Sequence, residues 1–180
     1  MTIFLIRHGQ SEFNVVYETD GSDPMILDAP LTALGHAQAR QAREKVANMN
    51  IKLVITSPLT RAIQTAQTIF HGIAPIRVMA GHRELVGHSC DIGRGPGQLQ
   101  ADFPTLSFDH LDDIWWHQGP VNETGVPIEP QDVFSARIAR FREDLRALKD
   151  RPIAVVGHGN TFIELAGYDM ANCEVRPYTI

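Results

Sequence analysis

Short apolar runs alternate with helical segments along most of this chain, and that alternation leaves few folds open. Residues 2–7 (TIFLIR), 51–56 (IKLVIT), 75–80 (PIRVMA) and 152–156 (PIAVV) are brief and largely β-branched or apolar, as buried strands are. Between them, residues 31–48 read as a helix with Thr32 as N-cap and Ala39, Ala42 and Val46 on one face. Residues 59–70 read as a second helix, with Pro58 near its start, where a missing N–H costs little. Phe134, Ile138, Phe141, Leu145 and Leu148 recur at spacings of four and three, the mark of an amphipathic helix. A short helix at 161–166 and a last strand at 174–180 complete the pattern. Parallel neighbours need crossover connections, so the expected architecture is α/β, a mostly parallel central sheet with helices on both faces.

At 180 residues the chain is expected to form a single domain, 1–180, around one core. Its periodicity lapses at about 87–130, where Gly and Pro are scattered and Trp115 and Trp116 are adjacent; this stretch reads as an insertion that caps the sheet's edge. Sixteen Lys and Arg against 21 Asp and Glu give a formal net charge of −5, which argues against a nucleic-acid partner. No run is apolar and long enough to span a membrane, and apolar residues 3–6 meet Arg7 too soon for a signal sequence, so a cytoplasmic location is expected. Cys90 and Cys173, the only cysteines, read as free thiols. Eight histidines are the compositional oddity.

Two of those histidines directly follow strands, in Arg7-His8-Gly9 after TIFLI and Gly157-His158-Gly159 after PIAVV. Ligands of open α/β sheets sit beyond the carboxyl ends of the strands, where strand order reverses, so both histidines are expected at that edge. The flanking glycines admit a ligand close to the backbone. Arg61, in the first turn of the helix after IKLVIT, reaches the same edge. A cation there opposes the helix dipole, and an anionic ligand removes the conflict. Arg7 also needs an acceptor, either a structural Asp or Glu or an anionic ligand.

Arg7-His8-Gly9-Gln10-Ser11 with Asn14, Asp28-Ala29-Pro30-Leu31-Thr32 with Gly35, Ser57-Pro58-Leu59 with Arg61-Ala62 and Gln64-Thr65-Ala66, and Gly157-His158-Gly159-Asn160 together resemble the histidine phosphatase superfamily, the phosphoglycerate mutase-like fold. Segments 90–94, 112–116 and 172–176 resemble a less-studied plant and microbial branch of it. The resemblance implies that His8 is the nucleophile and that Arg7, Asn14, Arg61 and His158 hold the phosphate. It also implies an acidic proton donor shortly after the third strand. Glu84 fits that role, with Asp91 as runner-up. The implied partner is a small phosphorylated substrate, and no metal or other cofactor is implied.

These residue types suit phosphoryl transfer, which is governed by positioning and by neutralising charge on the transferring group. Two arginines can fork onto phosphate oxygens. His8 must attack through an unprotonated nitrogen, so its other nitrogen should donate to a fixed acceptor, in this family a backbone carbonyl. His158 would donate to the same oxygens, most usefully when protonated. Glu84 would need a raised pKa to protonate the leaving alkoxide and, once ionised, would activate water. Arg94 and the Trp115-Trp116 pair are candidates for contacts to the rest of the substrate, although surface charge and packing within the insertion account for them as well. His36, His71, His82, His88, His110 and His117 show no HxH or HExxH spacing, so no metal site is expected. Hydrolysis is expected over mutase transfer, because a mutase must hold and reorient a bisphosphorylated intermediate. A catalytically silent phospho-ligand binder is the alternative from another class; it needs the cations but not His8 with an acid.

Overall fold

The structure, a computed structural model, describes residues 2–180. Strands β1 (Thr2–Arg7), β2 (Leu53–Thr56) and β4 (Ile153–Gly157) are apolar almost throughout because both faces of their sheet are covered. With β3 (Ile76–Val78) and β5 (Val175–Thr179) they form one sheet in the order β3-β2-β4-β1-β5. The first four strands in that order are parallel; β5 closes the β1 edge antiparallel.

Successive side chains on a strand face opposite ways, and the core divides accordingly. Ile3, Leu5, Leu53, Ile55, Ile153 and Val155 pack against helices α5 (Gln131–Ala147) and α6 (Gly159–Ala166), whose Phe134, Ile138, Phe141, Leu145, Phe162 and Leu165 are buried. Ile6, Val54, Ala154 and Val156 face α2 (Ala33–Val46) and α3 (Thr60–Phe70). There the small Ala39, Ala42, Ala62 and Ala66 let the helices lie close to the sheet. Each fully buried Phe, Ile, Leu or Val contributes about 1.5–3 kcal/mol.

Several elements sit where the sequence puts them. Thr32 caps α2 by accepting from the Gly35 N–H at 3.0 Å. Others are shorter or longer than expected. β3 has three residues, and α6 begins directly after His158 rather than at residue 161. The glycine at its first position conceals that start, since Gly is a poor helix former. Two helices carry no strong periodicity: α1 (Glu12–Asp20), whose one buried side chain is Phe13, and α4 (Pro96–Asp102). Within the 87–130 stretch, Leu99, Phe103, Leu106, Phe108 and Trp115 pack onto Leu59, Ile63 and Val78, covering α3 and the outer edge of the sheet.

Candidate active site

The sheet register places Arg7 opposite Gly157 on β1 and β4, and the His8 N–H donates to the Gly157 carbonyl at 3.0 Å. The two motifs therefore emerge side by side. From β1 the chain continues to β2, beyond β4; from β4 it continues to β5, beyond β1. This reversal opens a crevice at the strand ends. The loop after His8 is pressed against the start of α2. A Cβ on Gly9 would lie 2.5 Å from the Gly35 carbonyl oxygen, and one on Gly35 2.1 Å from that of Gln10, so this approach requires glycine at both positions.

His8 is 4% exposed and lines a cavity of about 490 Å³. Its Nδ1 lies 2.7 Å from the Gly9 carbonyl oxygen. A carbonyl only accepts, so Nδ1 carries the proton and Nε2 keeps its lone pair. Burial, followed by the charge of Arg61, holds the His8 pKa well below the ordinary histidine value. His158 lies behind it, with ring centroids 5.3 Å apart. It is fully buried and neither ring nitrogen has a hydrogen-bond partner. Burial, then Arg61 and His8, lower its pKa as well, which favours a neutral ring with a single N–H to donate, whereas from sequence His158 reads as most useful when protonated.

The two arginines are held differently. Arg7 donates to the Met170 carbonyl at 2.6 Å, and its buried Nε has no partner. Arg61, buried on the first turn of α3, donates to the Cys90 carbonyl at 2.6 Å and to Asp91 Oδ1 at 2.8 Å. The conflict with the helix dipole is thus met by a structural carboxylate. Asn14 Oδ1 accepts from the N–H and hydroxyl of Ser11, both at 3.0 Å, and caps α1. That leaves its Nδ2 as the free donor on a residue that lines the cavity.

Two buried carboxyls, Glu84 and Asp91, share the cavity wall. Glu84 Oε1 accepts from the N–H groups of Leu85 at 2.9 Å and Thr161 at 3.1 Å, while Oε2 accepts from that of Asn160 at 3.1 Å. It therefore sits on the first turn of α6. Burial and then the negative charge of Asp91 raise its pKa, against the pull of these donors and Arg61. Asp91 is engaged otherwise: Oδ1 holds Arg61, and Oδ2 accepts from the His88 N–H at 3.1 Å.

Behind Glu84 lies a brace that sequence reasoning missed. Arg137 of α5 donates to the carbonyls of Gly81 at 3.1 Å, Arg83 at 2.9 Å and Glu84 at 3.4 Å. It also forks onto Glu129 at 3.0 and 2.7 Å, and Arg83 reaches the same carboxylate at 3.2 Å. Burial and the neighbouring Arg137 pull the Arg83 pKa down to about 10. No local signal marks this group, because Arg137 reads as one more charge on an amphipathic helix.

Phe13, Tyr17, Glu18, His88, Ile163 and Asp169 complete much of the cavity wall. His88 thus lines the site, a place the sequence does not assign it. Arg94 is not. Its guanidinium binds Asp28 and Thr60, each at 2.8 Å, and Asp102. Trp115 packs within the insertion and donates to the Arg94 carbonyl at 2.9 Å. A cavity of about 580 Å³ at the outer edge of β3, beside Lys52, Arg77 and His110, lies away from both strand-end histidines. Among the described residues no group of three or more His, Cys, Asp or Glu is arranged to hold a metal ion. No helix there is long and apolar enough to cross a membrane.

Comparison with known proteins bears on the family and the fold. Phosphoglycerate mutase-like protein 1 of Arabidopsis thaliana is 30% identical over 236 aligned positions, covering 99% of this chain and 80% of the relative. A putative phosphoserine phosphatase 2 of Hydrogenobacter thermophilus is 29% identical, covering 88% and 73%. Among solved structures, a mycobacterial glucosyl-3-phosphoglycerate phosphatase superposes with a TM-score of 0.65 at 23% identity, over 98% of this chain and 90% of that one. The family model for the histidine phosphatase superfamily (branch 1) matches residues 3–168, and the chain belongs to that superfamily.

Proposed function

We propose that the protein is a phosphatase that hydrolyses a small phosphate monoester through a phosphohistidine on His8, without a metal ion. Membership of the superfamily indicates phosphatase or mutase chemistry. The observation that carries the finer reading is the 2.7 Å tether from His8 Nδ1 to the Gly9 carbonyl, which holds a neutral imidazole with its nucleophilic nitrogen free. Nε2 attacks phosphorus, the bond to the alcohol oxygen breaks, and protonated Glu84 delivers its proton to the departing alkoxide. The resulting Glu84 carboxylate then takes a proton from water, whose oxygen attacks phosphorus as the P–N bond breaks. Arg7 and Arg61 neutralise the equatorial oxygens, the charge compensation a metal ion supplies in other phosphatases. The N–H of His158 and the Nδ2 of Asn14 are further donors to the same group.

Hydrolysis is preferred to mutase transfer because, among the described residues, Arg7 and Arg61 are the only Lys or Arg on the cavity wall, and Arg61 is already shared with Asp91. A second phosphate would find no cation of its own. The mycobacterial phosphatase above, which shares this fold, was solved in complex with VO3, an oxyanion, in keeping with a phosphate ligand for the fold. The test is release of inorganic phosphate from an aryl phosphate in excess chelator. His8→Ala should lower turnover by roughly three orders of magnitude or more. Full activity in that variant, loss of activity with chelator, or reappearance of the phosphoryl group on a second acceptor would each overturn the proposal.

A further inference from the structure

The cavity extends beyond the phosphate site, and its outer wall has a distinct chemistry. Three rings line it. Phe13 and Tyr17 stack at 5.3 Å, and His88 lies 4.8 Å from Tyr17 and 5.3 Å from Phe13. The carboxylates of Glu18 and Asp169 line the same cavity; both are exposed, and neither forms an ion pair among the described residues. The reacting end is fixed independently by His8, almost wholly buried, with its Nε2 free of any protein partner.

Resting on the phosphatase reading above, we propose that this outer wall selects phosphate monoesters whose alcohol carries a positive charge, that is, amino-alcohol phosphates. Aromatic faces attract an ammonium group through the ring quadrupole. Unpaired carboxylates beside them add attraction of the same sign. A carboxylate or second phosphate on the alcohol meets the reverse: the cations are committed to the transferring phosphate and to Asp91, while Glu18 and Asp169 repel it. A neutral hydroxylated alcohol stacks on the rings without gaining from the charge.

The experiment compares kcat/KM for O-phosphoethanolamine, n-propyl phosphate, glycerol 3-phosphate and 2-phosphoglycolate, with an aryl phosphate as the reference. The expected order is ammonium ester first, neutral esters next and carboxylate ester last. The extremes should differ by about tenfold or more at low ionic strength, and the gap should narrow with salt. The Glu18→Gln/Asp169→Asn double variant, altered only at exposed positions, should compress that ratio toward one, and Tyr17→Leu should reduce it. A flat or inverted series, or a ratio indifferent to the double variant, overturns charge selection while His8-dependent aryl phosphate hydrolysis preserves the phosphatase reading. Failure to hydrolyse any ester, the aryl phosphate included, overturns both.

Discussion

Glu84 and Asp91 face the same cavity with the same functional group, and what their oxygens already hold divides the work between them. Asp91 is bound to the guanidinium of Arg61 at 2.8 Å, so its charge positions the arginine proposed to hold the phosphate. Glu84 is buried beside that charge, which favours its protonated form. Two substitutions separate the roles. Glu84→Gln should slow alkyl esters by about 100-fold or more and good aryl leaving groups much less in the first step, because only a poor leaving group needs the acid. Asp91→Asn should instead raise KM for all esters alike by loosening Arg61. If the leaving-group dependence follows Asp91→Asn, the acid is misassigned. His8, Arg7 and His158 were legible in the sequence because each adjoins a strand end, so the local pattern carries their position. Glu84 is preferred to Asp91 from sequence by its place after the third strand, but the bonds that set the two apart, to Arg61, His88 and the start of α6, come together only in the fold.

At the level of elements, legibility follows the number of side chains an element buries. α5 buries Phe134, Ile138, Phe141 and Leu145, and the spacing reveals it. α1 buries only Phe13, yet it carries Asn14, Tyr17 and Glu18 to the cavity. Its reciprocal cap between Ser11 and Asn14 is the one local clue. The loop from Gly81 to Glu84 is harder still to read, because it is held by Arg137 and Glu129 from a distant part of the chain. Glu129→Gln removes the negative charge between two largely buried arginines. That change should destabilise the fold by about 3–5 kcal/mol, measurable as a lower urea midpoint. A change within about 0.5 kcal/mol would show that the brace is not structural.

For the whole molecule, the cluster of buried histidines sets how stability depends on pH. His8, His158 and His82 have folded pKa values below the ordinary 6.5, with burial the leading cause in each, and His82 falls to about 4. The unfolded chain therefore binds protons that the folded one refuses. Each histidine lowers stability as pH falls below about 6.5, by up to about 1.4 kcal/mol per pH unit until its folded pKa is reached. Glu84 and Asp28, raised chiefly by burial, act with the opposite sign, since they regain protons earlier when folded. Three groups oppose two, so the urea midpoint should fall between about pH 6.5 and 5; a midpoint that rises over that window would contradict the neutral assignment. The net charge of −5 does not preclude an anion site, because Arg7 and Arg61 stand beside His8 while the acidic Glu18 and Asp169 line the outer part of the same cavity. The sheet brings together at that edge the two groups of the proposed mechanism, His8 to accept a phosphoryl group and Glu84 to release it to water. The most direct test uses Glu84→Gln with an aryl phosphate, whose leaving group departs unaided while the second step lacks its base. Rapid quenching and tandem mass spectrometry should then find close to one phosphoryl group per chain, on Nε2 of His8. Turnover in this variant with no trapped phosphoenzyme, or with the label on another residue, would contradict the account.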